Sequence, residues 1–228
     1  MRNFKDLVKN WNESTLVILD IDSTLVLTHG RNQAILKHLS TLGRQKNSQF
    51  YEQLGQIECR PMEYGYGTAL ERAGLAQAPE EFLKEVQRGW RQHFFSNEFL
   101  MHDTLHEGAL DFVFQLQDRK VPFVYLTGRY ETTMRPGTLE TLTKLGFPIT
   151  DDILFLKPKS TDIDEIYKSK KIEQLKQKYD QTVLIDNEPK VLNQIQKDHP
   201  DVQLVFVDTC HSPNVSAPAD IPHIKNFT

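Results

Sequence analysis

Short apolar runs separated by amphipathic stretches set the rhythm of this chain. Leu16-Val17-Ile18-Leu19 shows no polar alternation, which predicts a strand buried on both faces, and it stops abruptly at Asp20-Ile21-Asp22-Ser23-Thr24. Four similar runs follow, at Val121 to Leu126, Ile153 to Leu156, Thr182 to Ile185 and Gln203 to Val207. Between them Leu110, Val113, Phe114 and Leu116 predict one helical face, Leu139, Leu142 and Leu145 a second, and Ile172, Leu175 and Tyr179 a third. Pro189 suits the first turn of a fourth helix carrying Val191, Leu192 and Ile195. Strands alternating with helices predict an α/β fold built on a doubly wound parallel sheet.

From about Thr28 to His106 this rhythm fails. No convincing strand is present, and Gln33 to Leu42 and Pro79 to Phe95 carry helical patterns. A structureless loop of that length is implausible in a compact domain. The expected organisation is therefore a core of residues 1–27 and 107–228, with an α-helical subdomain of residues 28–106 inserted after the first strand so that it overhangs the strand ends. Glu58 to Gly67, rich in aromatic, charged and Gly residues, reads as an irregular connection that could contact substrate. The segment from Ser212 on, with Pro213, Pro218 and Pro222, reads as a tail laid over the surface.

Composition narrows the function classes. The 228 residues are 39% hydrophobic and 25% charged with a formal net charge of -4, so neither nucleic acid nor an anionic membrane is an expected partner. Cys59 and Cys210 lack the spacing of a zinc site or a disulfide framework and are expected to be reduced, structural thiols. Met1 to Asp6 lacks a signal-peptide core, and no run approaches the length of a membrane span, so the expectation is a cytoplasmic protein.

The candidate chemistry lies where the apolar runs end. Asp20 and Asp22, two like charges one residue apart, predict a metal ion between them or a proton transfer; plain turn formation is the competing explanation. Thr127-Gly128 follows the second run and offers a hydroxyl and an exposed N–H to one anionic oxygen, or simply a turn. Of Lys168, Lys170 and Lys171, Lys168 is best placed to point back at the strand ends, with Lys171 the alternative. The fourth run ends in Asp186-Asn187-Glu188, oxygen donors suited to Mg2+, although Asn187 or Glu188 also suits a helix cap.

In this order, acid pair, Thr-Gly, Lys, acid, the chain resembles the haloacid dehalogenase (HAD) superfamily of aspartyl-nucleophile hydrolases. Asp20 to Thr24 resembles its first motif, Thr127-Gly128 its second, Lys168 its third and Asp186 its fourth, and the insertion resembles its helical type-1 cap on a Rossmann-like core. The resemblance implies a Mg2+-dependent phosphatase acting on a small phosphorylated metabolite. Asp20 would be the nucleophile and form an aspartyl-phosphate, while Asp22 would act as acid and base. Thr127, Gly128 and Lys168 would hold the phosphoryl oxygens. Mg2+ would be held by the Asp20 carboxylate, the Asp22 main-chain carbonyl and Asp186. The acid at Asp22 argues for phosphoryl transfer over halide displacement. A phosphomutase or phosphotransferase differs only in the acceptor, and a catalytically silent binding module is the alternative from another class.

The sequence departs from the family pattern at two places. Ser23 stands where Gly is usual, tolerable if its backbone stays in an ordinary region. Asn187 and Lys190 stand where a second acid is often found, so Asn187 or Glu188 would complete the metal shell, directly or through water. His29, His93, His102 and His106 lack metal-ligand spacing and read as surface or hinge residues. Arg129 suits either an anionic substrate or a structural ion pair.

Overall fold

The computed structural model describes residues 4–46 and 48–228. After a short helix, α1 (Phe4–Lys9), come the strands β1 (Thr15–Leu19) and β2 (Val26–Leu27). The insertion follows as α2 (His29–Gly43), α3 (Gln49–Gln56), α4 (Gly67–Arg72) and α5 (Glu80–Phe94), and the chain returns through β3 (Thr104–Leu105). The remainder alternates as α6 (Ala109–Asp118), β4 (Phe123–Tyr130), α7 (Glu131–Lys144), β5 (Leu154–Lys157), α8 (Asp164–Lys176), β6 (Gln181–Asp186), α9 (Pro189–Asp198), β7 (Gln203–Val207) and β8 (His223–Ile224).

Six strands form one parallel sheet in the order β5-β4-β1-β6-β7-β8. Every residue of β1 is buried, and its side chains divide between two cores. Val17 and Leu19 pack with α6 and α7 on one face, whereas Leu16 and Ile18 pack with α8 and α9 on the other. A continuous apolar run is what a strand covered on both faces requires. Strand order reverses between β1 and β6, opening a crevice at their carboxyl ends.

The inserted helices surround a third apolar cluster that includes Leu36, Leu54, Leu70, Phe82 and Val86. β2 and β3 pair antiparallel, Val26 with Leu105 and Leu27 with Thr104, so the outgoing and returning chains lie side by side. These two-residue strands carry too little periodicity to read from sequence. α3 and α4 are also unforeseen. α3 is capped by Ser48, whose side chain accepts from the Phe50 N–H.

Three expectations are corrected. β4 does not end at Leu126 but runs through Thr127 and Gly128 to Tyr130, with an irregular register between Thr127 and Tyr130. On α6, Phe114 is exposed and Phe112 is buried, because Ala109, Phe112, Val113 and Leu116 form the inward stripe. The carboxyl-terminal segment is more than a surface tail: β8 extends the sheet, and Phe227 is buried against Phe112 at a ring separation of 5.0 Å. Among the described residues no helix is long and apolar enough to cross a membrane.

Candidate active site

Asp20 follows β1 directly and Asp186 ends β6, so the two acids face each other across the crevice at the strand-order reversal. Lys168, one turn into α8, joins them. Its Nζ donates to Asp20 Oδ1 at 2.6 Å and to Asp186 Oδ2 at 2.7 Å, and all three side chains are buried. Thr24 Oγ1 donates to the other Asp20 oxygen at 3.0 Å, and the Glu188 N–H donates to Asp186 Oδ1 at 2.8 Å.

Two buried carboxylates share one ammonium, leaving one negative charge unbalanced. Burial, with Asp186 adding to it and Lys168 opposing it, pushes the Asp20 carboxyl up to about 7. Burial likewise raises Asp186, while the two carboxylates, outweighing burial, hold the Lys168 ammonium firmly protonated.

Asp22 has different company. Although burial opposes it, the guanidinium groups of Arg129 and Arg31 hold its carboxyl well below the usual carboxylate range. Arg129 Nη2 and Arg31 Nη2 each donate to Asp22 Oδ1 at 2.7 Å, and both arginines also bond the fully buried Asp103. Two arginines and two aspartates thus close a charge-balanced quartet, buried except at Asp22, whose side chain is 27% exposed to the cavity. Arg129 is in this structure an ion-pair residue. The Arg31 guanidinium also lies 4.6 Å from the Phe94 ring centroid, its Nη1 without a hydrogen-bond partner among the described residues.

The motif residues converge on a cavity of about 670 Å³ lined by Asp20, Asp22, Thr127, Gly128, Lys168 and Asp186. Thr127 Oγ1 accepts from the Arg129 N–H at 3.2 Å. A Cβ on Gly128 would come within 2.5 Å of Asp164 Oδ2, so a larger residue there would displace that carboxylate from beside the strand end. Lys171 is turned away, its Nζ 4.7 Å from the Phe155 ring centroid.

Asn187 points its Oδ1 at Thr24 at 3.3 Å and donates through Nδ2 to the Cys210 carbonyl at 2.6 Å. Glu188 caps α9, accepting from the Lys190 N–H, and is bonded by Ser212. Ser23 does not keep an ordinary backbone. Its φ is +59°, because Ser23 N–H bonds the Val26 carbonyl in the tight turn out of β1. Both cysteines are buried and unbridged, and burial pushes the Cys59 thiol up to about 12, as expected of inert thiols.

The insertion supplies the opposite wall. Tyr66, Trp90 and Phe94 form a contiguous aromatic surface, with ring separations of 4.9 Å and 4.5 Å, and Phe95 stacks on Tyr130 at 4.6 Å. Tyr64 and Gly65, from the irregular connection, also line the cavity. Sequence reasoning missed Arg31, Asp103 and this wall, because Asp103 meets Arg31 and Arg129 from 72 and 26 positions away and Tyr66 meets Trp90 from another part of the insertion. Thr24, four residues after Asp20 in the same motif, was within reach of it.

Known proteins share this fold. A family model described as HAD superfamily, subfamily IIIB (acid phosphatase), matches residues 99–194, a span that holds Thr127, Gly128, Lys168 and Asp186 but not Asp20 or Asp22. Among solved structures, a haloacid dehalogenase-like hydrolase from Burkholderia xenovorans LB400 superposes with a TM-score of 0.55 at 16% identity, covering 94% of this chain and 93% of that one. Residues 99–194 thus match the haloacid dehalogenase superfamily model, and the fold is that of haloacid dehalogenase-like hydrolases. A predicted phosphoglycolate phosphatase from Haemophilus somnus 129PT, also similar, gives a TM-score of 0.54 at 13% identity over 95% of this chain and 96% of its own. At such identities the likeness is one of fold. No curated protein matches the sequence. Its HAD family model supports, in general terms, a phosphatase-type hydrolase.

Proposed function

We propose that this protein is a Mg2+-dependent phosphatase that hydrolyses a small phosphate monoester through an aspartyl-phosphate on Asp20. The observation that carries the reading is the pairing of Asp20 and Asp186 around the single Lys168 ammonium on the cavity floor. That donor set suits Mg2+: its groups are hard oxygens, and they hold one more negative charge than Lys168 balances. Asp20, Asp186 and the Asp22 carbonyl would hold the ion, with Asn187 reaching it directly or through water. Bound there, Mg2+ supplies charge neutralisation between two anions that must approach each other.

A carboxylate oxygen of Asp20 attacks phosphorus, the bond from phosphorus to the leaving oxygen breaks, and its electron pair departs with that oxygen. Thr127, the Gly128 N–H and Lys168 hold the phosphoryl oxygens as charge shifts between them. Water then attacks the phosphorus while Asp22 takes its proton, and the bond to Asp20 breaks to release phosphate. The guanidinium pair keeps Asp22 ionised and able to accept that proton, which it then releases to the departed oxygen or to solvent before the next turnover. A leaving group that departs as a stabilised anion makes little demand on Asp22 as an acid, and the aromatic wall of Tyr66, Trp90 and Phe94 fits a flat one. Residues 28–106 serve as a cap that closes over the cavity and excludes water.

The test is hydrolysis of p-nitrophenyl phosphate and of a phosphometabolite panel by wild type with Mg2+, wild type with EDTA, and Asp20→Asn with Mg2+. Expected is turnover in the first case alone, fastest on aryl esters. Absence of Mg2+-dependent turnover on every compound refutes the reading.

A further inference from the structure

Away from the crevice, on the cap, His38 of α2 and His93 in the last turn of α5 approach each other at a ring separation of 4.7 Å. Both are half-buried against Phe99, at 5.4 Å and 5.3 Å. Glu98, just beyond α5, completes the group. Its carboxylate lies 2.8 Å from His93 Nδ1, and one ligand atom from each of the three residues falls within 4.8 Å of the others. Neither nitrogen of His38 has a hydrogen-bond partner among the described residues. The acids of the crevice offer only oxygen, whereas this group offers two imidazoles and one carboxylate, a set suited to Zn2+ and its neighbours rather than to Mg2+.

The geometry points to a second metal site, in which His38, His93 and Glu98 bind one Zn2+-class ion and water completes the coordination. Small rotamer adjustments bring the ligand atoms from their present spacing to metal bonds of about 2.0–2.2 Å. The ion would tie the end of α5 to the middle of α2. α5 carries Trp90 and Phe94 to the cavity wall and α2 carries Asn32, so the site would brace that wall without touching substrate.

The experiment titrates EDTA-stripped, desalted full-length protein with Zn2+ by calorimetry, in excess Mg2+ so that oxygen sites in the crevice are filled. Expected is one Zn2+ per chain, bound at least tenfold more weakly by His38→Gln, by His93→Gln and by the exposed Glu98→Gln, and unchanged in Asp186→Asn. Metal-free melting curves matching wild type establish that the variants are folded; Glu98→Gln serves should a histidine variant not fold. A visible spectrum of tetrahedral Co2+, lost in His38→Gln, is the second expected readout. No Zn2+ uptake in the presence of Mg2+ overturns the inference. So does uptake that survives His38→Gln and His93→Gln, or that is lost in Asp186→Asn instead.

Discussion

Lys168 and Asp20, 148 positions apart in sequence, meet at 2.6 Å, and the same ammonium also reaches Asp186. Removing it leaves two buried carboxylates facing each other. Lys168→Ala is therefore expected to lower kcat by roughly 10²–10³-fold. The free energy of urea unfolding at about pH 8 should also fall, by about 3–5 kcal/mol. Lys171→Ala, which removes only a contact with the Phe155 ring, is expected to leave kcat close to wild type.

The raised Asp20 carboxyl gives stability a pH signature. With its pKa at about 7 in the fold and 3.8 as the ordinary value, the folded state holds this proton more tightly. Its contribution is fully present below the ordinary value, declines as pH rises, and is gone above about 7. Asp20→Asn keeps a neutral side chain at all pH. The melting temperature of Asp20→Asn minus that of metal-free wild type should therefore grow from about pH 4 to about pH 8. Saturating Mg2+ should shrink the difference by stabilising wild type.

Asp103 is the hidden member of the quartet around Asp22. Asp103→Asn keeps the shape but leaves Arg31 and Arg129 with a single carboxylate between them. A loss of about 3–5 kcal/mol in urea unfolding is expected, as for other buried pairs deprived of one partner. A loss below about 1 kcal/mol, typical of exposed pairs, would refute the claim that the quartet is a buried network.

Ser23 holds a left-handed backbone that glycine adopts without steric penalty. Ser23→Gly is expected to stabilise by about 0.5–1 kcal/mol, read as a raised melting temperature. A lowered melting temperature would show that the buried Ser23 side chain outweighs the backbone term.

Much of the core was legible because its signals are local. Leu16 to Leu19 and Val183 to Ile185 sit between two helical layers and are apolar throughout, so runs ending in Asp20 and Asp186 mark both strands and the crevice between them. Pro189 marks the start of α9 in the same way. What escaped was decided at a distance. Arg31 and Asp103 are ordinary charged residues in sequence, and only folding brings them together across 72 positions. β8 pairs by register with β7, which its own proline-rich sequence does not advertise. Thr127-Gly128 looks like a turn in sequence, whereas the strand continues through it, and the Asp164 carboxylate that lies against Gly128 comes from a helix 36 positions on. Tyr66, Trp90 and Phe94 come from two helical neighbourhoods, and neither alone signals a wall.

The two-residue ribbon of β2 and β3 carries a consequence for the ancestry of the molecule. Because the chain leaves and re-enters the core at neighbouring positions, everything between Leu27 and Thr104 hangs from a single seam. A change of length or sequence within that cassette leaves the strand ends that carry Asp20 and Asp186 where they are. Selection can thus retune what is recognised without retuning the chemistry. The quartet constrains such changes, since any replacement must bring back both an arginine where Arg31 stands and an aspartate where Asp103 stands.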